Sequence, residues 1–408
     1  KMLKKLFLFI ISFCSFFSLG AEQSVEAHIF IHGTRLSFLS LVSAIPTAQR
    51  SLTNHHLYAK VVQSSRDDER FHDTQVILDK GLVEIESPMI KKCRAQTLEP
   101  NFSRKAAIQA INGYDMLIKK NDTIYRYYTF GWDGMLGDNY RKNDSLDLYN
   151  TLVALRDTLQ KKHPAKVVKF ILHGHSHGGN LILYLGYHEN IKKKNLSIEQ
   201  AILYGTPIQA ETAPYCLHNM FKCIISIYSE GDNIQVADKI STASHTSKRR
   251  LSDLVNTANK PIIDICIAAE GDRKAFGHAT FFFIDMYQNG VAQARRKVFN
   301  EIKYLPVMTL APLFIPLITN LYAKHPQQQM TLNLYKQDEQ TCLMSAETGD
   351  RKFTIQSDNI IPQIEPVRTI IEKTWKPAAA HKNAINLAKL ALLDLMKVTP
   401  QHFVDLVS

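Results

Sequence analysis

The chain has 408 residues, of which 45% are hydrophobic and 21% charged. That is enough apolar surface for a large buried core, and it excludes a disordered, collagen-like or solenoid chain. The formal net charge of +11 predicts attraction to anionic surfaces, yet no zinc-finger or RNP-like pattern supports a nucleic-acid partner.

Lys4 and Lys5 precede an apolar run over 6–17, and Ser18-Leu19-Gly20-Ala21 follows. This order of charged, apolar and small residues predicts a secretory signal peptide over 1–21, cleaved after Gly20 or Ala21. The protein is therefore expected to be exported, periplasmic or secreted, with peripheral contact to an anionic membrane surface left open. Export permits disulfides. Cys216 and Cys223, close in sequence around a loop, are the expected pair among the five remaining cysteines.

Beyond the leader, the run AHIFI over 27–31 reads as a buried strand ending in His32-Gly33-Thr34. Residues 36–123 are mixed and read as a cap or insert, with a helical stretch over 104–119. TIYRYYTF over 123–130 is strand-like and stops at Gly131-Trp132-Asp133-Gly134. Residues 145–161 carry leucines at helical spacing. A second buried strand over 167–172 leads into a helix over 180–188. Further strands are expected over 198–204, 223–228 and 262–269, the last followed shortly by Gly277-His278. Short apolar strands alternating with helices predict an α/β fold, with a mostly parallel central sheet and helices on both faces. In such sheets function gathers at the carboxyl ends of the strands.

The catalytic domain is placed over 22–290, with a C-terminal extension of helical and β-hairpin segments over 291–408. Within it, the apolar stretch 304–322 is broken by Pro306, Pro312 and Pro316. Each proline removes a backbone donor, which argues against a plain membrane span. A buried helical hairpin is expected there, with an interfacial lid as the other reading. Residues 330–355 alternate as β-hairpins do, and 378–397 form an amphipathic helical pattern.

The segment HGHSHGGN over 173–180 holds the chemistry. Read as a continuous strand, it would project His173, His175 and His177 from one face, as metal ligands or as the histidine-rich motif of calcineurin-like phosphoesterases. That reading lacks the aspartates and the Asn-His that such sites draw from earlier loops, and no metal ligand is assigned. Read as Gly174-His175-Ser176-His177-Gly178, it fits G-x-S-x-G between a strand and a helix, the context that motif requires. The turn strains the serine and demands glycine on either side.

A serine hydroxyl needs a base, and the base needs an orienting acid. Asp232 follows the strand 223–228 and His278 follows the last strand, so both are expected on the same sheet edge as Ser176. Asp272 is a rival acid, placed too near His278. The oxyanion donors expected are the amide of His177 and one from Gly33 or Thr34. Trp132 and Asp133 end a neighbouring strand, where they either line the pocket or serve packing and the turn.

Together, Ile31-His32-Gly33-Thr34, Gly174 to Gly179, Tyr204-Gly205-Thr206-Pro207, Asp232 and Gly277-His278 resemble the α/β-hydrolase superfamily, on its lipase and esterase side. The resemblance covers residues 25–290. It implies a serine hydrolase that forms an acyl-enzyme on Ser176 and uses no cofactor. Export, a basic surface and the apolar 304–322 segment favour a lipid ester as substrate. A metal-dependent phosphoesterase and a non-catalytic binding protein of the same fold remain the alternatives.

Overall fold

The computed structural model describes residues 23–34, 80–86, 111, 113–115, 122–134, 137–238, 242, 244–257, 260–269, 271–274, 277, 307–324, 326, 329–336, 342–348 and 351–357. The expected signal peptide, His278 and the helix over 378–397 lie outside them.

Among the described residues a ten-stranded sheet organises the fold. Its strands are β1 (Ser24–Ile31), β2 (Gly81–Glu84), β3 (Thr123–Gly131), β4 (Val167–His175), β5 (Gln200–Tyr204), β7 (Ile224–Tyr228), β9 (Ile262–Ala269), β10 (Gln329–Lys336), β11 (Cys342–Thr348) and β12 (Arg351–Ser357). The spatial order is β12-β11-β10-β9-β7-β5-β4-β1-β3-β2. From β3 to β10 every neighbouring pair is parallel. Antiparallel β2 closes one edge, and β11 with β12 closes the other as a meander. Two short strands, β6 (Ile208–Gln209) and β8 (Ser247–Lys248), pair separately. The fold is α/β with a mostly parallel sheet, as the alternation of strands and helices predicts.

Helices α1 (Asp138–Lys162) and α2 (His177–Lys192) pack on one face and on each other. That face of the sheet is aliphatic: Val25, Ala27, Ile29 and Ile31 of β1 share a core with Leu148 and Leu152 of α1 and Leu181 and Leu185 of α2. The alternate residues of the same strands build a different layer. His28 and Phe30 of β1, His173 of β4 and Tyr204 of β5 lie buried there under Tyr114. Period-two alternation thus sends an aliphatic set to the helices and a polar-aromatic set to the other side.

α1 begins at Asp138, seven residues before the leucine periodicity starts, because an acidic residue in its first turn suits the helix dipole and Gly137 is extended. The stretch expected to fold as a helical hairpin is one helix, α4 (Val307–Lys324), continuous through Pro312 and Pro316. The spacing of Val307, Ala311, Phe314, Ile318 and Leu321 explains this: the buried residues form one stripe, and Pro316 lies on the exposed side. Among the described residues no helix is long and apolar enough to cross a membrane. The hairpins expected over 330–355 are β10, β11 and β12, which continue the central sheet beyond β9.

Cys216 and Cys223 do not form the expected disulfide; both thiols are free. Cys216 is buried within the aliphatic core while Cys223 sits in the loop before β7, and burial pushes the two thiols up to about 12 and about 11.

Candidate active site

Ser176 stands between the last residue of β4 and the first of α2. Its backbone has φ 51° and ψ −129°, a left-handed conformation for a residue with a side chain. Such strain costs about 1–3 kcal/mol and persists only where the surroundings enforce it. Here Ser176 N–H donates to the Tyr204 carbonyl at 2.9 Å, and the Ser176 carbonyl accepts from Gly179 N–H at 3.0 Å. The strand enters and the helix leaves with almost no separation: a β-carbon on Gly174 would lie 2.7 Å from the Gly179 backbone. Only glycine permits that approach.

His177 opens α2, so its amide is among the helix's first N–H groups, which have no partner along the helix and carry the positive end of the dipole. Facing it is the loop after β1. Gly33 presses against Ser176: a β-carbon there would sit 2.5 Å from the Ser176 β-carbon. Trp132, at the end of β3, holds this loop. Its backbone N–H donates to His32 Nε2 at 3.2 Å and its indole N–H donates to the His32 carbonyl at 2.7 Å. The two rings stack 5.7 Å apart.

Because Nε2 of His32 accepts, the ring proton belongs on Nδ1, which donates to the Gly33 carbonyl at 2.7 Å. That turns the Gly33 carbonyl toward His32. In a planar trans peptide the Thr34 N–H then points the opposite way. Thr34 is buried, and its hydroxyl has no hydrogen-bond partner among the described residues. Asp133, by contrast, faces Lys80 at 3.5 Å.

Asp232 is fully buried just beyond β7. Its Oδ1 accepts from Ile234 N–H at 3.0 Å and Gln235 N–H at 3.3 Å, which caps the short helix α3 (Ile234–Ala237). Gln235 Nε2 donates to the Thr206 carbonyl at 2.8 Å, so the Asp232 loop is tied to the end of β5. With strands about 4.8 Å apart, that loop stands roughly 10 Å from β4 along the same sheet edge. Asp272 is exposed and caps Lys274 N–H. His278 lies outside the described residues, so the geometry joins Ser176, His177, Gly33 and Thr34 at one point and sets Asp232 on the same edge.

The three histidines of the motif part company because the strand ends at His175. His173 Nε2 and His28 Nδ1 are 3.1 Å apart, and His173 Nδ1 lies 3.3 Å from the Tyr204 hydroxyl. Burial holds His173 well below the ordinary histidine range, and the neighbouring His28 adds to the effect. His177, on the helix, pairs its Nε2 with Asp238 Oδ2 at 3.2 Å. Among the described residues no group of three or more His, Cys, Asp or Glu is placed to hold a metal ion.

Two parts of the site carry no local sequence signal. One is the His32–Trp132 clamp, whose partners are 100 residues apart. The other is a buried chain behind His177: Asp238 also accepts from Gln209 Nε2 at 3.0 Å, and Gln209 Oε1 accepts from Arg141 at 2.6 Å. Arg141 is wholly buried, which lowers its pKa, while Asp238 and Asp138 act in the opposite direction.

No family model, curated protein or solved structure matches this chain.

Proposed function

We propose that the chain is a serine hydrolase of α/β-hydrolase fold, which cleaves carboxylic esters through an acyl-enzyme on Ser176. The observation that carries the reading is the strained backbone of Ser176 at a strand-to-helix junction too tight for any β-carbon at Gly174. A structural turn gains nothing from a left-handed serine; a nucleophile gains an Oγ placed at the positive end of a helix dipole, here within a buried site. The approach of Gly33 to Ser176 adds a second support, because it brings a loop amide near the same point as the His177 amide.

In this reading His278 takes the proton from Ser176 Oγ as it attacks the ester carbonyl, and Asp232 orients and stabilises the charged ring. The amides of His177 and of Gly33 or Thr34 receive the developing oxyanion. His278 then protonates the leaving alcohol, and water attacks the acyl-enzyme by the same steps in reverse. No cofactor is needed. The substrate proposed is a lipid ester met outside the cytoplasm, with peripheral contact to an anionic membrane surface.

The experiment is labelling of the chain from Glu22 onward with a fluorophosphonate, alongside Ser176→Ala and His278→Ala, with nitrophenyl esters of increasing chain length as substrates. Labelling lost in both variants and indifferent to chelator supports the reading. Folded protein that neither labels nor turns over any ester, or whose activity chelator abolishes, sinks it.

A further inference from the structure

A wholly buried arginine and two carboxylates join α1, β6 and the end of α3 to α2 in a closed circuit of polar contacts. It leaves α2 at Tyr184, whose hydroxyl donates to Asp138 Oδ1 in the first turn of α1. Asp138 Oδ1 lies 3.5 Å from Arg141 Nη2, and that guanidinium donates to Gln209 Oε1 at 2.6 Å. Gln209, in β6, continues the chain through Nε2, which donates to Asp238 Oδ2 at 3.0 Å. Asp238 returns it to α2 at His177 Nε2, 3.2 Å away.

The direction of each link is fixed by the groups that make it. A guanidinium only donates, so the Gln209 oxygen faces Arg141 and its nitrogen faces Asp238. On the other side of the His177 ring, Asn180 Nδ2 lies 3.0 Å from the Pro207 carbonyl, which only accepts, so that atom is the amide nitrogen. The same nitrogen lies 3.3 Å from His177 Nδ1, while the Asn180 oxygen accepts from the Thr212 hydroxyl at 2.6 Å. The ring proton of His177 therefore belongs on Nε2, which donates to Asp238. The His177 and Asp238 side chains are only 2% and 8% exposed, so water competes little for this bond.

Burying an arginine in such a chain is a poor source of stability, because well-packed apolar residues of similar volume often do as well. What the chain supplies is one geometry, and that geometry bears on two parts of the proposed site. His177 contributes the amide that opens α2. Asp238 is the C-terminal cap residue of α3, and Asp232 caps the opposite end of the same short helix. One end of α3 thus carries the proposed acid, and the other grips the ring of the residue after Ser176. We propose that Asp238, Gln209 and Arg141 are positioning residues, which act through the His177 ring to hold the oxyanion-binding amide of His177 in register with the Asp232 loop. The inference rests on the serine-hydrolase reading and adds three residues to it.

The test uses the full chain, with a short nitrophenyl ester as substrate and with phenylboronic acid, which forms a tetrahedral adduct on a serine Oγ. Asp238→Asn and Gln209→Met are expected to lower kcat about 10- to 100-fold with KM nearly unchanged. Binding of the boronic acid should weaken by a similar factor, since the adduct resembles the transition state. His177→Phe keeps the amide but loses the ring bonds. Adding Asp238→Asn to it should cost nothing further, because both changes act through one ring. Tyr149→Phe serves as the control: it deletes a buried 2.6 Å hydrogen bond to Glu189 near the far end of α2 and should lower the melting temperature with kcat unchanged. Thermal melting establishes that each variant is folded. Three results overturn the inference while leaving the serine-hydrolase reading in place: unchanged kcat and boronic acid affinity in folded Asp238→Asn and Gln209→Met, additive losses in the double variant, or an equal loss of kcat in Tyr149→Phe. Unsubstituted protein that neither turns over the ester nor binds the boronic acid overturns both.

Discussion

Gly33 and Ser176 touch so closely that a single added methyl group at position 33 would lie 2.5 Å from the serine β-carbon. Real side chains essentially never approach so near, so the loop after β1 and the turn after β4 must be shaped together. Gly33→Ala is therefore expected to move either Ser176 or the loop after β1, which in the proposed reaction are nucleophile and oxyanion donor. The cost should fall on kcat, by about 100- to 1,000-fold, as for loss of one oxyanion donor. Steady-state kinetics with a short nitrophenyl ester would check this, and an unchanged kcat would separate the loop from the chemistry.

Trp132→Phe keeps the ring over His32 but removes the indole N–H from the His32 carbonyl. A buried carbonyl left unsatisfied costs about 1–3 kcal/mol. We expect a lower melting temperature and, if the clamp acts by orienting the Thr34 amide, a fall in kcat with little change in KM. A change confined to KM would instead make Trp132 part of the pocket wall.

Asp232→Asn separates structure from catalysis. Asparagine caps a helix about as well as aspartate, so Ile234 and Gln235 N–H keep an acceptor and the fold should survive. If Asp232 orients the catalytic histidine, kcat should nevertheless fall about 10,000-fold. Asp272→Asn, on an exposed loop, should leave kcat unchanged. The reverse pattern would move the acid to Asp272.

The buried pair His28 and His173 predicts acid sensitivity. Burial lowers both below the ordinary histidine value of 6.5. The unfolded chain therefore binds more protons than the folded one once the pH drops below about 6.5, and stability declines from there downward. Denaturant midpoints measured from pH 8 to pH 5 should fall through this window. His173→Phe should flatten the slope, and an unaltered slope would show that other groups set it.

Asp144 behaves in the opposite sense. Burial, with help from the Asp133 and Asp147 carboxylates and against the pull of Lys80, raises its pKa to about 7. Ionising it in the folded protein is unfavourable, so it costs stability as the pH rises from the unfolded carboxylate range through 7. Asp144→Asn should raise the melting temperature at pH 8 and leave it unchanged near pH 4. Equal melting at both values would mean that Asp144 relaxes into solvent.

The short-range features of this protein are legible in its residues. The apolar strand before Gly174, the glycines around Ser176 and the helical run after it predict a strained serine, because strand, turn and helix are consecutive in the chain. The parallel order follows from strands separated by helix-length connections. Other expectations failed where the deciding contact was distant. The rejected alternative of three histidines on one strand face meets the same fact: the strand stops at His175, and His177 turns to Asp238 on the helix side. Three prolines read as a break, but burial of one apolar stripe keeps α4 continuous through two of them. Two nearby cysteines read as a pair, but Cys216 packs in the core.

By itself, then, the sequence determined the α/β class and the position of the candidate nucleophile, because hydrophobic periodicity and glycine sterics act over a few residues. Only the tertiary structure decided what surrounds that serine: Gly33 pressed on it, and Trp132 locking His32 across 100 residues. Those relationships depend on which strand ends the sheet brings side by side, and that order is set by packing of the whole core, beyond the reach of any local pattern.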